Sequence, residues 1–228
     1  MDDVLDNPSE ILKHFMDVAI IDYKMSNLHS VQAACRKVGL PSIITSDTSQ
    51  ILDAKIAILP GVGAFGEAMN HLAELKLDDC IYRFIESGKP FIGICLGLQL
   101  LFDNSEEFGN HSGLGLIKGA VKKFQFSIDE DTKYPVPQIG WNKIRCNGAA
   151  WNKTLLFENR DEDFMYFVHS YYVVPEDKQL TLSTTTYGKQ KYCSAIRYKN
   201  IFASQFHPEK SGETGLKLYK QLKINLDN

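Results

Sequence analysis

The residues best suited to chemistry begin with Gly93-Ile94-Cys95-Leu96-Gly97. An apolar run leads into the cysteine and another follows it, so the sulfur sits where a buried strand gives way to a helix. On so sharp a turn, side chains two positions to either side would collide, and glycine at both removes them. The amides of the following helix favour thiolate over thiol. A buried structural cysteine between two packing glycines is the rival reading of the same five residues. A cysteine nucleophile also needs a base and a group that orients the base. Gln205-Phe206-His207-Pro208-Glu209 supplies both. In an extended segment His207 and Glu209 share one side, and Pro208 between them holds the chain extended and donates no hydrogen bond. His169, in Phe167-Val168-His169-Ser170-Tyr171, competes as base but has no acidic residue within several positions. His14, His29, His71 and His111 fall in helical or loop contexts and read as surface or packing residues.

Acyl transfer through a thioester needs N–H groups aimed at the developing oxyanion. Leu96 N–H, one residue after the nucleophile, supplies one. Leu59-Pro60-Gly61-Val62-Gly63 ends another strand, and its glycines leave the amides bare, making Val62 N–H the second candidate. A plain turn accounts equally well for those residues taken alone.

Four short β-branched or apolar runs, Val18–Asp22, Ser42–Thr45, Ile56–Leu59 and Phe91–Cys95, alternate with helical stretches at Asn27–Val38, Ala64–Leu75 and Asp78–Ser87. That alternation predicts a parallel sheet covered by helices. Later strands are expected at Ala120–Phe126, Gln138–Arg145, Phe164–Val174, Gln179–Thr186, Tyr192–Tyr198 and Ile201–Phe206, and an amphipathic helix closes the chain over Gly212–Leu226. The fold class is α/β: a single three-layer domain with a mostly parallel, partly mixed central sheet. Residues 1–16, Asp-rich with an early Pro8, read as an N-terminal extension or as a segment preceding an alternative start at Met16. Residues 17–228 form the domain.

Of 228 residues, 44% are hydrophobic, which excludes a disordered chain. The longest apolar run, Phe91 to Phe102, is too short for a spanning helix, and MDDVLDNPSE lacks the layout of a secretion signal. A net charge of −3 speaks against a nucleic-acid or membrane-surface binder. Five scattered cysteines, odd in number and without a CxxC pair, point to free thiols in a cytoplasmic setting. No metal site or cofactor is expected.

Taken together, ILPGVGAFGEAM, PFIGICLGLQLLF, SEEFG, GLGLIKG, PQIGWN, FVHSYY and QFHPEKSGETG give a chain that resembles the class I (triad) glutamine amidotransferases. Within them it is similar to the glutaminase subunits of imidazole glycerol phosphate synthase. The resemblance implies a flavodoxin-like domain that hydrolyses L-glutamine to glutamate and ammonia, with Cys95 as nucleophile, His207 as proton shuttle and Glu209 orienting it. Gln99, Glu107 and the stretch His169, Ser170 and Tyr171 would contact substrate, and Gly61 and Gly63 would shape the oxyanion side. It also implies transfer of ammonia to a (β/α)8-barrel synthase partner, with Asn27, Trp141, Asn142 and Lys210 at or near the interface. Where the family has Gly-x-Gly-Asn in the first strand–helix loop, this chain has Lys24-Met25-Ser26-Asn27. Three alternatives remain: a paralogue feeding a related barrel in surface-sugar amination, a non-catalytic scaffold, and a cysteine hydrolase or peptidase.

Overall fold

The computed structural model describes residues 16–25, 27–126, 134–148 and 151–227; the expected N-terminal extension lies, but for Met16, outside them. Strands β1 (Val18–Ile21), β2 (Ser42–Thr45), β3 (Ile56–Gly61) and β4 (Phe91–Cys95) interleave with helices α1 (Leu28–Lys37), α2 (Thr48–Asp53), α3 (Phe65–Glu74) and α4 (Leu77–Glu86). Every residue of β1, β3 and β4 is buried, as expected of strands covered on both sides. Val18 and Ile20 pack with α1 and the C-terminal helix α6 (Gly212–Asp227), while Ala19 and Ile21 pack with α2, α3 and α4. Two apolar layers thus sandwich the sheet, each fully buried Leu, Ile or Phe contributing about 1.5–3 kcal/mol.

The later strands are β5 (Phe102–Ser105), β6 (His111–Ser112), β7 (Ile117–Lys123), β8 (Gln138–Lys143), β9 (Arg145–Cys146), β10 (Phe164–His169), β11 (Tyr171–Pro175), β12 (Thr181–Tyr187), β13 (Gln190–Tyr198) and β14 (Ile201–Ser204). The main sheet runs β2-β1-β3-β4-β14-β13-β11-β7-β5-β6, with β12 and β9 attached beside β13. Its run from β2 to β14 is parallel, and the strands beyond β14 make it mixed, the α/β class expected. The decisive pairing is β14 with β4, Ser204 opposite Ile94, while Gly61 of β3 lies opposite Cys95 on the other side. Three segments therefore leave the carboxyl ends of adjacent parallel strands, the edge where open α/β sheets build sites.

Four expectations are corrected. The helix after Cys95 is a single turn, α5 (Leu96–Gln99), because the chain must re-enter the sheet as β5 only three residues later. The run expected over Phe164–Val174 breaks at Ser170, so that β10 pairs with β8 in a separate two-stranded sheet while β11 joins the main one. Gln138–Arg145 likewise divides into β8 and β9, which belong to different sheets. Helix α2 went unforeseen, although Asp47 caps it by accepting from Ser49 and Gln50 N–H. No helix among the described residues is long and apolar enough to cross a membrane.

Candidate active site

Cys95 occupies φ 55°, ψ −107°, a conformation that costs a non-glycine residue about 1–3 kcal/mol. The surrounding glycines explain how the turn is tolerated. A Cβ at Gly93 would lie 2.9 Å from Gly97 O and 3.0 Å from Ala203 Cβ, and one at Gly97 would overlap Leu59 O. The strain aims Cys95 Sγ out of the strand, 3.8 Å from Val168 O. Because α5 has four residues, its dipole is small.

His207 and Glu209 meet as Nδ1···Oε1 at 2.8 Å, with side chains 3% and 2% exposed. They do so across a bend, since Pro208–Lys210 is a 3-10 turn and not the extended segment expected; proline at its first position pre-sets that φ. His207 Nε2 is buried with no hydrogen-bond partner among the described residues. Burial alone would lower the imidazole pKa, but the Cys95 sulfur and the Glu209 carboxylate together outweigh it and raise the value to about 10. Those three side chains form one electrostatic unit.

His169 lies outside that unit. Burial drives its pKa down to about 3, so it is neutral, with Nδ1 2.8 Å from Tyr171 O and Nε2 3.3 Å from Tyr192 Oη. A carbonyl only accepts, which makes Nδ1 the protonated nitrogen. His169 is a packing and hydrogen-bonding residue of the cleft floor.

Cys95 opens into a cleft of about 240 Å³ lined by Val62, Gly63, Leu96, Gln99, Glu107, Pro137 and Val168 through Tyr171. That is smaller than the roughly 300–1,000 Å³ of drug-sized sites, which suits a small molecule. Gly61 is not in the lining; a Cβ there would overlap the Tyr23 hydroxyl and crowd Leu96, so it serves packing beneath the cleft. Glu107 has one oxygen committed, Oε2 accepting from Phe65 N–H at 2.7 Å at the start of α3, and burial raises its carboxyl pKa. Gln99 is more committed still. Its Nε2 donates to Tyr171 O (2.9 Å) and to Gln205 Oε1 (3.1 Å), leaving only Oε1 for a ligand. Val62 N–H, expected in the cleft, donates instead to Met25 O at 2.9 Å. The loop that carries that acceptor holds Lys24 at φ +70°.

Around the cleft mouth, β8 and β10 present Ile139 (62% exposed), Trp141 (55%) and Phe164 (49%) on one side of their two-stranded sheet. Trp141 is therefore an exposed aromatic, resting edge-on against Tyr166. Lys210 and Asn27 are exposed, and Asn27 accepts from Ser30 Oγ. Asn142 points the other way, its Nδ2 donating to Thr186 O. Gln205, to which the sequence assigned no role, is fully buried with Nε2 3.5 Å from Cys95 Sγ; no local pattern marks it.

The family model for "Glutamine amidotransferase class-I" matches residues 19–224. The chain belongs to the class I glutamine amidotransferases. Among its relatives, "Imidazole glycerol phosphate synthase subunit HisH" of Aquifex aeolicus (strain VF5) is 46% identical over 212 residues, 91% of this chain and 96% of that protein. The protein of the same name from Syntrophotalea carbinolica is 45% identical over 89% of this chain and 97% of its own length. The amidotransferase fold recurs in solved structures of low identity. One titled "Crystal structure of glutamine amidotransferase" has TM-score 0.68 at 16% identity, covering 92% of this chain and 99% of that one. "Structure of PurLQS from Thermotoga maritima" gives 0.68 at 20% identity, covering 92% and 98%.

Proposed function

We propose that this chain is the glutaminase subunit of imidazole glycerol phosphate synthase, acting in histidine biosynthesis. It hydrolyses L-glutamine and passes ammonia to a (β/α)8-barrel partner. The observation that carries this reading is the buried Cys95–His207–Glu209 unit at the strained turn, opening into a small cleft. Cys95 Sγ attacks the side-chain amide carbon as thiolate. The C–S bond forms, the C–N bond breaks, and imidazolium His207 gives its Nε2 proton to the departing ammonia. Water then attacks the thioester, His207 takes its proton, and glutamate leaves with the thiolate restored. Glu209 holds the imidazole so that Nε2 faces the sulfur. Leu96 N–H is the first oxyanion donor. Val62 N–H becomes the second only after the Gly61–Val62 peptide rotates away from Met25 O, a motion that Gly61 makes less costly. One such donor is worth about 10²–10³ in rate, so hydrolysis waits for a loaded partner.

The exposed Ile139, Trp141 and Phe164 beside the cleft suit a partner that covers its mouth, with Asn27 and Lys210 at its rim. Relatives 43–46% identical that bear the HisH name favour histidine biosynthesis over surface-sugar amination. In this reading residues 17–228 are the amidotransferase domain and residues 1–16 an extension of it. The test is Cys95→Ser in complex with the barrel subunit. Glutamine-driven product formation should vanish while ammonia-driven formation persists, and an alkylating glutamine analogue should label the native chain at Cys95. Undiminished glutamine consumption by the variant would falsify the assignment.

A further inference from the structure

We propose that Gln205 is the hydrogen-bond donor that holds the Cys95 sulfur as an anion, its amide locked in the donating orientation by Gln99 and the Tyr171 carbonyl. This rests on the glutaminase reading above for its purpose, but on geometry alone for its orientation. Tyr171 O can only accept, so the Gln99 atom 2.9 Å away is the amide nitrogen. That nitrogen has two hydrogens, and the second meets a Gln205 side-chain atom at 3.1 Å. The partner must be an acceptor, hence Oε1, and Gln205 is left presenting its NH2 group to Cys95 Sγ at 3.5 Å. Reversing the Gln205 amide would oppose two NH2 groups and turn an oxygen toward the sulfur. Backbone contacts fix the residue from behind, Gln205 N–H donating to Ser194 O on β13.

Besides His207, whose charge acts on the sulfur, Val168 O lies 3.8 Å away; it can only accept and so favours the thiol. With α5 reduced to one turn, Gln205 is the amide that opposes it. A donor gains little from a neutral sulfur and much more from an anionic one, because charge-assisted bonds are roughly twice as strong. The same contacts run from Tyr171 on the cleft floor to the nucleophile, so displacement of the floor by a ligand or partner is transmitted to the sulfur as loss or gain of its donor.

The experiment follows iodoacetamide alkylation of Cys95 against pH in the full chain, with peptide mapping to separate it from the other four cysteines. The variants are Gln205→Met, which deletes the donor at similar volume, and Gln205→Glu, which keeps an acceptor for Gln99 but turns an oxygen to the sulfur. His207 and Tyr192, the titratable groups whose charges reach Cys95, are present in both. Both variants should move the midpoint of Cys95 reactivity upward by a pH unit or more. They should also lower kcat about tenfold to a hundredfold with little change in KM, the worth of a hydrogen bond to a charged group. If either folded variant keeps the native midpoint, the proposal is overturned. Should neither fold, side-chain 15N NMR of the native chain decides. The Gln205 Nε2 signal must shift when Cys95 is alkylated, and an unmoved signal refutes the contact. If the native chain hydrolyses no glutamine even with the loaded barrel subunit, while the variants still shift the midpoint, the glutaminase reading sinks and this one is spared.

Discussion

Substituting alanine for glycine at the turn separates positioning of the nucleophile from stability of the fold. At Gly97 the new Cβ would overlap Leu59 O, a backbone atom of β3 that cannot swing aside. Either α5 or the end of β3 must therefore move by ~1 Å, and a displacement of that size costs about a hundredfold in rate even when no catalytic group is lost. At Gly93 the new Cβ meets Gly97 O at 2.9 Å and Ala203 Cβ at 3.0 Å, so a shift of a few tenths of an ångström suffices. A loss nearer tenfold follows, on the order of the square root of the larger effect. Gly88 is the control. It has φ +80° but open space around its Cβ position, and it lies at the opposite end of β4 from Cys95. Alanine there meets about 1–2 kcal/mol of left-handed strain, while overpacking at Gly93 or Gly97 costs about 1–3 kcal/mol. At roughly 2–4 °C per kcal/mol for a chain of this size, the three melting temperatures fall by similar amounts. Only the activities should diverge. The assay is kcat/KM for glutamate release in the presence of the barrel subunit, alongside thermal melts. A Gly97→Ala chain that melts lower but hydrolyses glutamine at the native rate would refute the view that this glycine sets the position of Cys95.

Three further outcomes are expected. Because Cys95 stands at φ 55°, Cys95→Gly should melt no lower than Cys95→Ala, reversing the usual destabilisation by glycine; a clear drop would show the turn to be unstrained. His207, at about 10, lies above the ordinary histidine value near 6.5, so its ion pairing stabilises the fold fully below pH 6.5 and is lost as pH rises through 10. The basic limb of kcat/KM should therefore fall near pH 10 and move lower in Glu209→Gln, whereas a limb that stays in place would exclude His207 as the acid; His169, at about 3, contributes none. Trp141→Ala should weaken partner binding by about 2 kcal/mol or more, read by calorimetry, without altering the melt of the isolated chain.

The local chemistry was legible in the sequence because it rests on short-range sterics. Glycines two residues either side of Cys95, histidine and glutamate separated by proline, and the alternation of apolar runs with amphipathic ones act over a few residues. The glycines and the alternation kept their meaning in the fold, whereas His207 and Glu209 meet across a 3-10 turn and not along the extended segment expected. Even there periodicity misjudged detail, for it carries no sign that α5 stops after one turn or that Ser170 divides β10 from β11 between two sheets. Tertiary structure alone decided the rest. The parallel pairing of β14 with β4 brings His207 beside Cys95, and Gln205 reaches the sulfur across 110 residues of chain. Whether Val62 N–H faces the cleft or Met25 O is the orientation of one peptide group. Pairings and orientations of that kind are chosen by partners distant in the chain, and the residues that carry them look ordinary until those partners arrive.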